Sequence, residues 1–265
     1  MKPSYYYPMA KSLPRTPSRT RRIGPAEIWI YENPSALASG AAALIAGFIR
    51  EQVAERSIDR QVNVAMAGGS TPAATYRELS ALDVPWERVC AWVGDERYVA
   101  PDDPANNGTM IGQAIIYHTS AHFLPIPWAE DRSAKRAAEI YETQLLTSMT
   151  IDPDGLPRPD LILAGMGDDG HTLSLFPGSE ALRVTDRWYI ATEVAAPTSS
   201  WRLTATYPLV HRAKQIYVLV SGRSKSSALA EVLLTGSDRR LPARRLMEGE
   251  APVTWLVDEA AASDL

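Results

Sequence analysis

Four short apolar runs in this chain each end in a polar loop that carries glycine. Residues 61–67 run into Gly68-Gly69-Ser70-Thr71-Pro72, and residues 88–93 into Gly94-Asp95-Glu96-Arg97. Residues 160–164 run into Gly165-Met166-Gly167-Asp168-Asp169-Gly170-His171, and residues 215–220 into Ser221-Gly222-Arg223-Ser224-Lys225. Short apolar runs bounded by turn signals read as buried strands. Helical patterns alternate with them over residues 35–56, 73–82, 132–149 and 224–234, and from the polar loop 101–107 to residue 116. Further strands are expected at 27–31, 121–126, 188–194, 201–207 and 253–257, with a short helix at the C-terminus. This alternation predicts an α/β, Rossmann-like fold, with a mostly parallel sheet flanked by helices on both faces. A smaller irregular β-containing portion is expected after residue 177. Ligands of such sheets bind beyond the carboxyl ends of the strands. The four loops are therefore expected to converge on one edge and build one site.

Composition narrows the classes. At 265 residues the chain can bury a full core. A single cysteine, Cys90, excludes an internal disulfide framework and reads as a small buried apolar side chain. The longest weakly polar stretch, residues 36–49, falls short of the roughly 20 residues that span a bilayer. No signal-peptide core precedes it, so no membrane partner and a cytoplasmic enzyme are expected. Formal net charge is −4, yet residues 1–26 hold six basic side chains and no acid. The body is thus more acidic than the total, which argues against nucleic acid as a partner. Residues 1–26 are expected to be a flexible basic tail, with a targeting or anion-binding arm as its functional alternative. Residues 27–265 are expected to form a single domain.

The loops carry the chemistry. Asp169 lies two residues before His171 in one glycine turn, which is a way to orient an imidazole as a general base. In 68–72, Gly68 and Gly69 let the backbone approach a ligand, and Pro72 suits a first helical position. The free amides of that helix start, with the hydroxyls of Ser70 and Thr71, favour a phosphate. A plain helix cap by Ser70 or Thr71 is the alternative. Arg97 reads as a phosphate or oxyanion ligand, and Asp95 as a hydroxyl ligand or a brace for Arg97. A local ion-pair network would use the same residues. Arg202 and Lys225 are further phosphate candidates, or solvated surface charges. His118, His122 and His211 lack metal-site spacing, so no metal is expected. Gly165-x-Gly167-x-x-Gly170 matches a dinucleotide fingerprint, but Phe176-Pro177-Gly178 interrupts where its helix should run.

Taken together these motifs resemble the 6-phosphogluconolactonases, which share a superfamily with the glucosamine-6-phosphate deaminases. The resemblance runs from about residue 27 to the C-terminus. It rests on Gly-Gly-Ser-Thr-Pro at 68–72, Asp-Glu-Arg at 95–97 and Gly-Met-Gly-Asp-Asp-Gly-His-Thr-Leu-Ser-Leu-Phe-Pro-Gly at 165–178. Arg-Leu-Thr at 202–204, Gly-Arg-Ser-Lys at 222–225, Leu-Pro-Ala at 241–243 and Trp-Leu-Val-Asp at 255–258 complete it. The deaminases carry glutamate where this chain has Phe176, and tend to an aromatic residue where it has Arg97. In the lactonases a Ser-Asn pair follows Asp-Glu-Arg. Here the loop reads Ala105-Asn106-Asn107-Gly108, which keeps Asn106 in that reading and loses the serine. Leu173 replaces a commoner alanine.

The resemblance implies hydrolysis of 6-phospho-D-glucono-1,5-lactone without metal or organic cofactor. His171 would be the base, Asp169 its orienting carboxylate and Arg97 the balance for negative charge. Ser70, Thr71, Arg202 and Lys225 would hold the phosphate. Gly68, Gly69, Asp95 and Asn106 would complete the substrate-binding set. The implied partner is the phosphosugar lactone alone, on a monomer or weak homodimer. The alternatives are a deaminase of the same fold, or a sugar-phosphate sensor that has lost catalysis.

Overall fold

The computed structural model describes residues 16–194, 201–234 and 241–265. In chain order the elements are β1 (Arg19–Ile23), β2 (Ala26–Tyr31), α1 (Pro34–Ala54), β3 (Val62–Met66), α2 (Ser70–Ser80), β4 (Val89–Val93), β5 (Asp95–Arg97), α3 (Asn107–Ala114), β6 (His122–Leu124) and α4 (Ala134–Ser148). They continue as β7 (Thr150–Ile151), β8 (Pro157–Arg158), β9 (Leu161–Gly165), β10 (Tyr189–Glu193), β11 (Trp201–Ala205), α5 (Tyr207–Val210), β12 (Gln215–Val220), α6 (Ser226–Leu233) and β13 (Val253–Asp258).

The main sheet has the order β1-β2-β13-β12-β9-β3-β4-β6. Every pairing in it is parallel except β1 with β2. Its inner strands β3, β4, β9 and β13 are buried on both faces, so their sequences read as continuous apolar runs rather than alternating ones. In β12, Ile216, Val218 and Val220 join the main core, while Leu219 packs with Tyr31, Leu37 and Leu256 on the opposite face. Helix α1 starts at Asn33, whose side chain accepts from the Ala36 amide at 3.0 Å, with Pro34 in the first turn. β5, β10 and β11 form a second, antiparallel sheet, the smaller β portion expected from the sequence.

From β3 the chain winds outward through β4 to β6. It then returns to β9 and winds the other way through β12 to β13. The order reverses between β3 and β9, and there the pairing covers only Val64 with Leu161 and Ala65 with Ile162. β9 with β12, and β3 with β4, pair over five residues each. The two central strands thus part toward their carboxyl ends and open a crevice.

Asp160 ties the other end of that crevice shut. Its carboxylate is fully buried and accepts from the Asn63 amide of β3 at 2.9 Å and from Arg56 Nη1 at 2.8 Å. Arg56 Nη2 bonds the second oxygen, and Lys214 Nζ stands 3.4 Å from it. One side chain therefore joins β9 to β3, the end of α1 and the start of β12.

Several boundaries differ from expectation. The tail expected through residue 26 includes a strand, because Arg19–Ile23 pairs antiparallel with β2 and caps one edge of the sheet. Its Arg-Thr-Arg-Arg pattern has no apolar alternation to reveal it, and basic side chains are the usual covering of a sheet edge. Residues 1–15 lie outside the described residues. Helix α2 begins at Ser70, so Pro72 is its third residue rather than its first. The expected C-terminal helix is a series of turns after Asp258. No helix among the described residues is long and apolar enough to cross a membrane.

Removing the Asp160 carboxylate would leave the Arg56 charge and the Asn63 amide without their partner. Asp160→Ala is expected to lower unfolding free energy by about 3–5 kcal/mol, measured as a fall in urea midpoint. A midpoint close to wild type would show that the clasp does not hold β3 to β9.

Candidate active site

Four of the strands that end in glycine loops, β12, β9, β3 and β4, are consecutive neighbours in the sheet. Their loops surround a cavity of about 260 Å³ lined by residues 67–72, Asp95, Arg97, Asn107, residues 165–167, His171, Leu173, residues 219–221 and Lys225. The convergence expected from strand order is thus a feature of the fold.

The β9 loop presents the imidazole. The His171 amide and ring Nδ1 both donate to Asp169 Oδ1, at 3.1 and 2.5 Å. The Gly167 amide donates to the His171 carbonyl at 2.9 Å and closes the turn. A side chain at Gly167 would overlap the His171 ring and the Asp169 carboxylate. Phe176 backs the imidazole, with ring centroids 4.3 Å apart and planes inclined by 29°. Burial pushes the Asp169 carboxyl up. The amide, ring and charge of His171 outweigh it and hold the group below the usual carboxylate range. A carboxylate can only accept, so it fixes the proton on Nδ1 and leaves the Nε2 lone pair for another proton.

Across β3, Gly69 caps α2 without any side-chain hydrogen bond, so neither Ser70 nor Thr71 is spent as a cap. Ser70 and Thr71 hold the first two helical positions and line the cavity. Amides at those positions have no partner within a helix. Lys225 faces them from the loop after β12. It lies in a 3₁₀ turn (Arg223–Lys225) before α6, and its Nζ is 2.6 Å from Asp168 Oδ1. The loop after β12 and the loop after β9 are joined by this ion pair.

The β4 loop and β5 bring charge to the remaining side. Ser174 Oγ donates to Asp95 Oδ2 at 2.7 Å. Burial pushes the Asp95 carboxyl up, opposed by that hydrogen bond and by the positive charge of Arg97, His171 and Arg202. Arg97 Nη1 donates to the Ala105 carbonyl at 2.9 Å and to Asn107 Oδ1 at 3.2 Å. Arg202 stands opposite Arg97 in the β5–β11 register and is buried, but it does not line the cavity. Burial and then the neighbouring Arg97 charge pull its guanidinium below the usual range. Leu173, on the cavity wall, is the one non-glycine residue in the left-handed region among the described residues, at φ 52°. Such strain is found where surrounding structure holds a functional loop in place.

Of the residues singled out from sequence, the structure brings His171, Arg97, Gly68, Gly69, Ser70, Thr71, Asp95 and Lys225 to the cavity, with Asp169 bonded to His171. Asn106 is not among them. Its Oδ1 accepts from the Thr109 amide at 2.7 Å and caps α3. The neighbouring Asn107 lines the cavity instead. Asparagine is a strong helix cap, and in an Asn-Asn-Gly start the first asparagine is the natural cap; that signal would have separated the two. Glu96 and Ser174 were not anticipated either. Glu96 accepts from the amides of Arg97, Asn107 and Gly108 at 2.7–2.8 Å and anchors α3 to β5. Among the described residues no group of three or more metal-ligating side chains occurs.

A carboxylate-backed histidine and an open helix N-terminus thus share one cavity at the switch point of the parallel sheet of an α/β protein. The family model described as glucosamine-6-phosphate isomerases/6-phosphogluconolactonase matches residues 32–255, and the chain belongs to that family. It is 35% identical over 244 residues to a 6-phosphogluconolactonase of Synechocystis sp., covering 90% of this chain and 98% of that one. It is 36% identical over 205 residues to one from Nostoc sp., covering 76% and 84%. The solved 6-phosphogluconolactonase of Trypanosoma brucei superimposes with a TM-score of 0.81 at 27% identity, covering 92% of this chain and all of that one.

Glu96 makes a pH prediction. Burial, partly offset by its three amide partners, raises its carboxyl from about 4.5 to about 7. The folded state then binds more protons than the unfolded state between those values, so stability falls as pH rises through the window. The loss is on the order of 3 kcal/mol for Glu96, and the raised Asp95 adds in the same direction. Urea unfolding from pH 4.5 to 7 should show this slope. Glu96→Gln, whose carboxamide does not titrate, should show a shallower slope. An unchanged slope would assign the proton elsewhere.

Proposed function

We propose that this protein hydrolyses 6-phospho-D-glucono-1,5-lactone to 6-phospho-D-gluconate, the lactone-opening step of the oxidative pentose phosphate pathway. The observation that carries the reading is the Asp169–His171 pair facing the same cavity as the α2 N-terminus and Lys225. A lactone needs an activated water, compensation for the oxyanion and a proton for the ring oxygen.

In this reading His171 Nε2 takes a proton from water as its oxygen attacks the C1 carbonyl. Asp169 stabilises the imidazolium that forms. The tetrahedral intermediate carries its negative charge on the former carbonyl oxygen, near Arg97. Its collapse breaks the C1–O5 bond, and the imidazolium returns the proton to O5. The 6-phosphate rests against the Ser70 and Thr71 amides and hydroxyls and pairs with Lys225. Arg202, behind Arg97, adds positive potential without touching the substrate. Binding at the phosphate end then fixes C1 near the water. Asp95, held by Ser174, offers its other oxygen to a ring hydroxyl. A soluble phosphosugar substrate fits a cytoplasmic location. Relatives named 6-phosphogluconolactonase support the reading, and so does Phe176 on the imidazole, where a deaminase would place an acid.

The test is a lactonase assay on freshly made 6-phosphogluconolactone, corrected for spontaneous hydrolysis. His171→Ala is expected to lose at least about 10²-fold in kcat. Lys225→Ala is expected to raise KM with a smaller effect on kcat. No acceleration by the wild-type protein, or ammonia release from glucosamine 6-phosphate, would overturn the assignment. An unchanged KM in Lys225→Ala would move the phosphate elsewhere.

A further inference from the structure

Arg97 has a reason to leave the cavity. It stands opposite the buried Arg202 in the β5–β11 register, and the two like charges repel. Two acceptors oppose this, the Ala105 carbonyl and Asn107 Oδ1, both bonded to Nη1. The other donors of the guanidinium make no hydrogen bond among the described residues, so the fork remains available to a ligand.

Asn107 is held by two hydrogen bonds and is buried. Its Nδ2 donates to the Asp95 carbonyl at 2.8 Å, its amide donates to Glu96 Oε1 at 2.7 Å, and the residue is 4% exposed. Its carboxamide occupies the space where a side chain at residue 68 would lie, so a Cβ at Gly68 would overlap it. The loop after β3, strand β5 and the start of α3 therefore meet at this one amide.

We propose that Asn107 is the positioning residue that fixes the Arg97 guanidinium in the cavity, and that Gly68 lacks a side chain to make room for it. Asn107 acts through Arg97 and does not itself meet the reacting atoms. Any side chain at residue 68 is thereby an indirect perturbation of Arg97. The kinetic consequence rests on the lactone-hydrolysis reading, whereas the geometric one does not.

The experiment combines side-chain NMR with a kinetic cycle. In ¹⁵N-labelled protein the Arg97 guanidinium signal, assigned by its loss in Arg97→Lys, should show hindered rotation in wild type. Averaging is expected in Asn107→Ala and in Gly68→Ala. With 6-phosphogluconolactone as substrate, Asn107→Ala should lower kcat by about 10- to 100-fold, with KM little changed. In an Arg97→Ala background the same substitution should have no further effect on kcat. Gly68→Ala reaches the same endpoint without deleting the amide, and it carries the test if Asn107→Ala does not fold. An Arg97 signal unchanged in both variants would overturn the proposal. So would an Asn107→Ala loss that multiplies in full onto that of Arg97→Ala. If wild type does not exceed the spontaneous rate, the functional reading fails and the NMR comparison alone decides the positioning role.

Discussion

The buried Asp160 carboxylate is the constraint on which the site depends. β3 and β9 pair over two residues, far fewer than their neighbours, so their own backbone bonds hold them weakly. Asp160 supplies the rest at the amino end, through Asn63, Arg56 and Lys214. Because the clasp sits at that end, the carboxyl ends can part without the sheet coming apart. The loops 68–72 and 165–171 flank the opening, one with an open helix N-terminus and the other with the imidazole. A buried ion cluster of this kind adds little net stability over an apolar substitute, but removing one member is costly. Its contribution is the shape of the crevice.

Around that crevice, each of three aspartates lies beside basic side chains. Asp169 holds His171, Asp168 holds Lys225, and Asp95 lies in the field of Arg97, His171 and Arg202. The first contact lies within the β9 loop, the second bridges it to the β12 loop, and Asp95 lies among cations from β5, the β9 loop and β11. Under the proposed function, an incoming phosphate would exchange with Asp168 for Lys225 rather than meet a bare cation. Such contacts let an acidic chain keep basic side chains together at this crevice. The Ser174–Asp95 contact and the Glu96 amide cluster extend the same logic into the wall, where each buried carboxylate oxygen that is used has a donor.

Much of this was legible in the sequence where the determinant is local. Four strands of the main sheet, β3, β4, β9 and β12, are apolar runs that lead directly into glycine-containing loops. Asp169 and His171 are two residues apart in one turn, so their contact needs no knowledge of the fold. Lys225 and the α2 start were placed by the rule that open parallel sheets bind at their carboxyl edge. Less was legible where a residue's role depends on a partner far away in the chain. Asn106 caps α3, which a local signal could have shown, but the contact of Asn107 with Gly68 joins segments far apart in the chain. Arg202 stands behind Arg97 because of the β5–β11 register, which no local pattern encodes. β1 exists because β2 offers it an edge.

The sequence by itself determined the alternation of strands and helices, the four loops and the histidine with its aspartate, since each follows from side-chain pattern over a few residues. The tertiary structure alone decided that β3 and β9 part at one end and are clasped at the other. It also decided that Asn107 meets the loop after β3, and that a missing side chain at residue 68 makes room for it. Those features are set by packing between segments distant in the chain, where the contact of one backbone with another, rather than composition, decides which side chain fits.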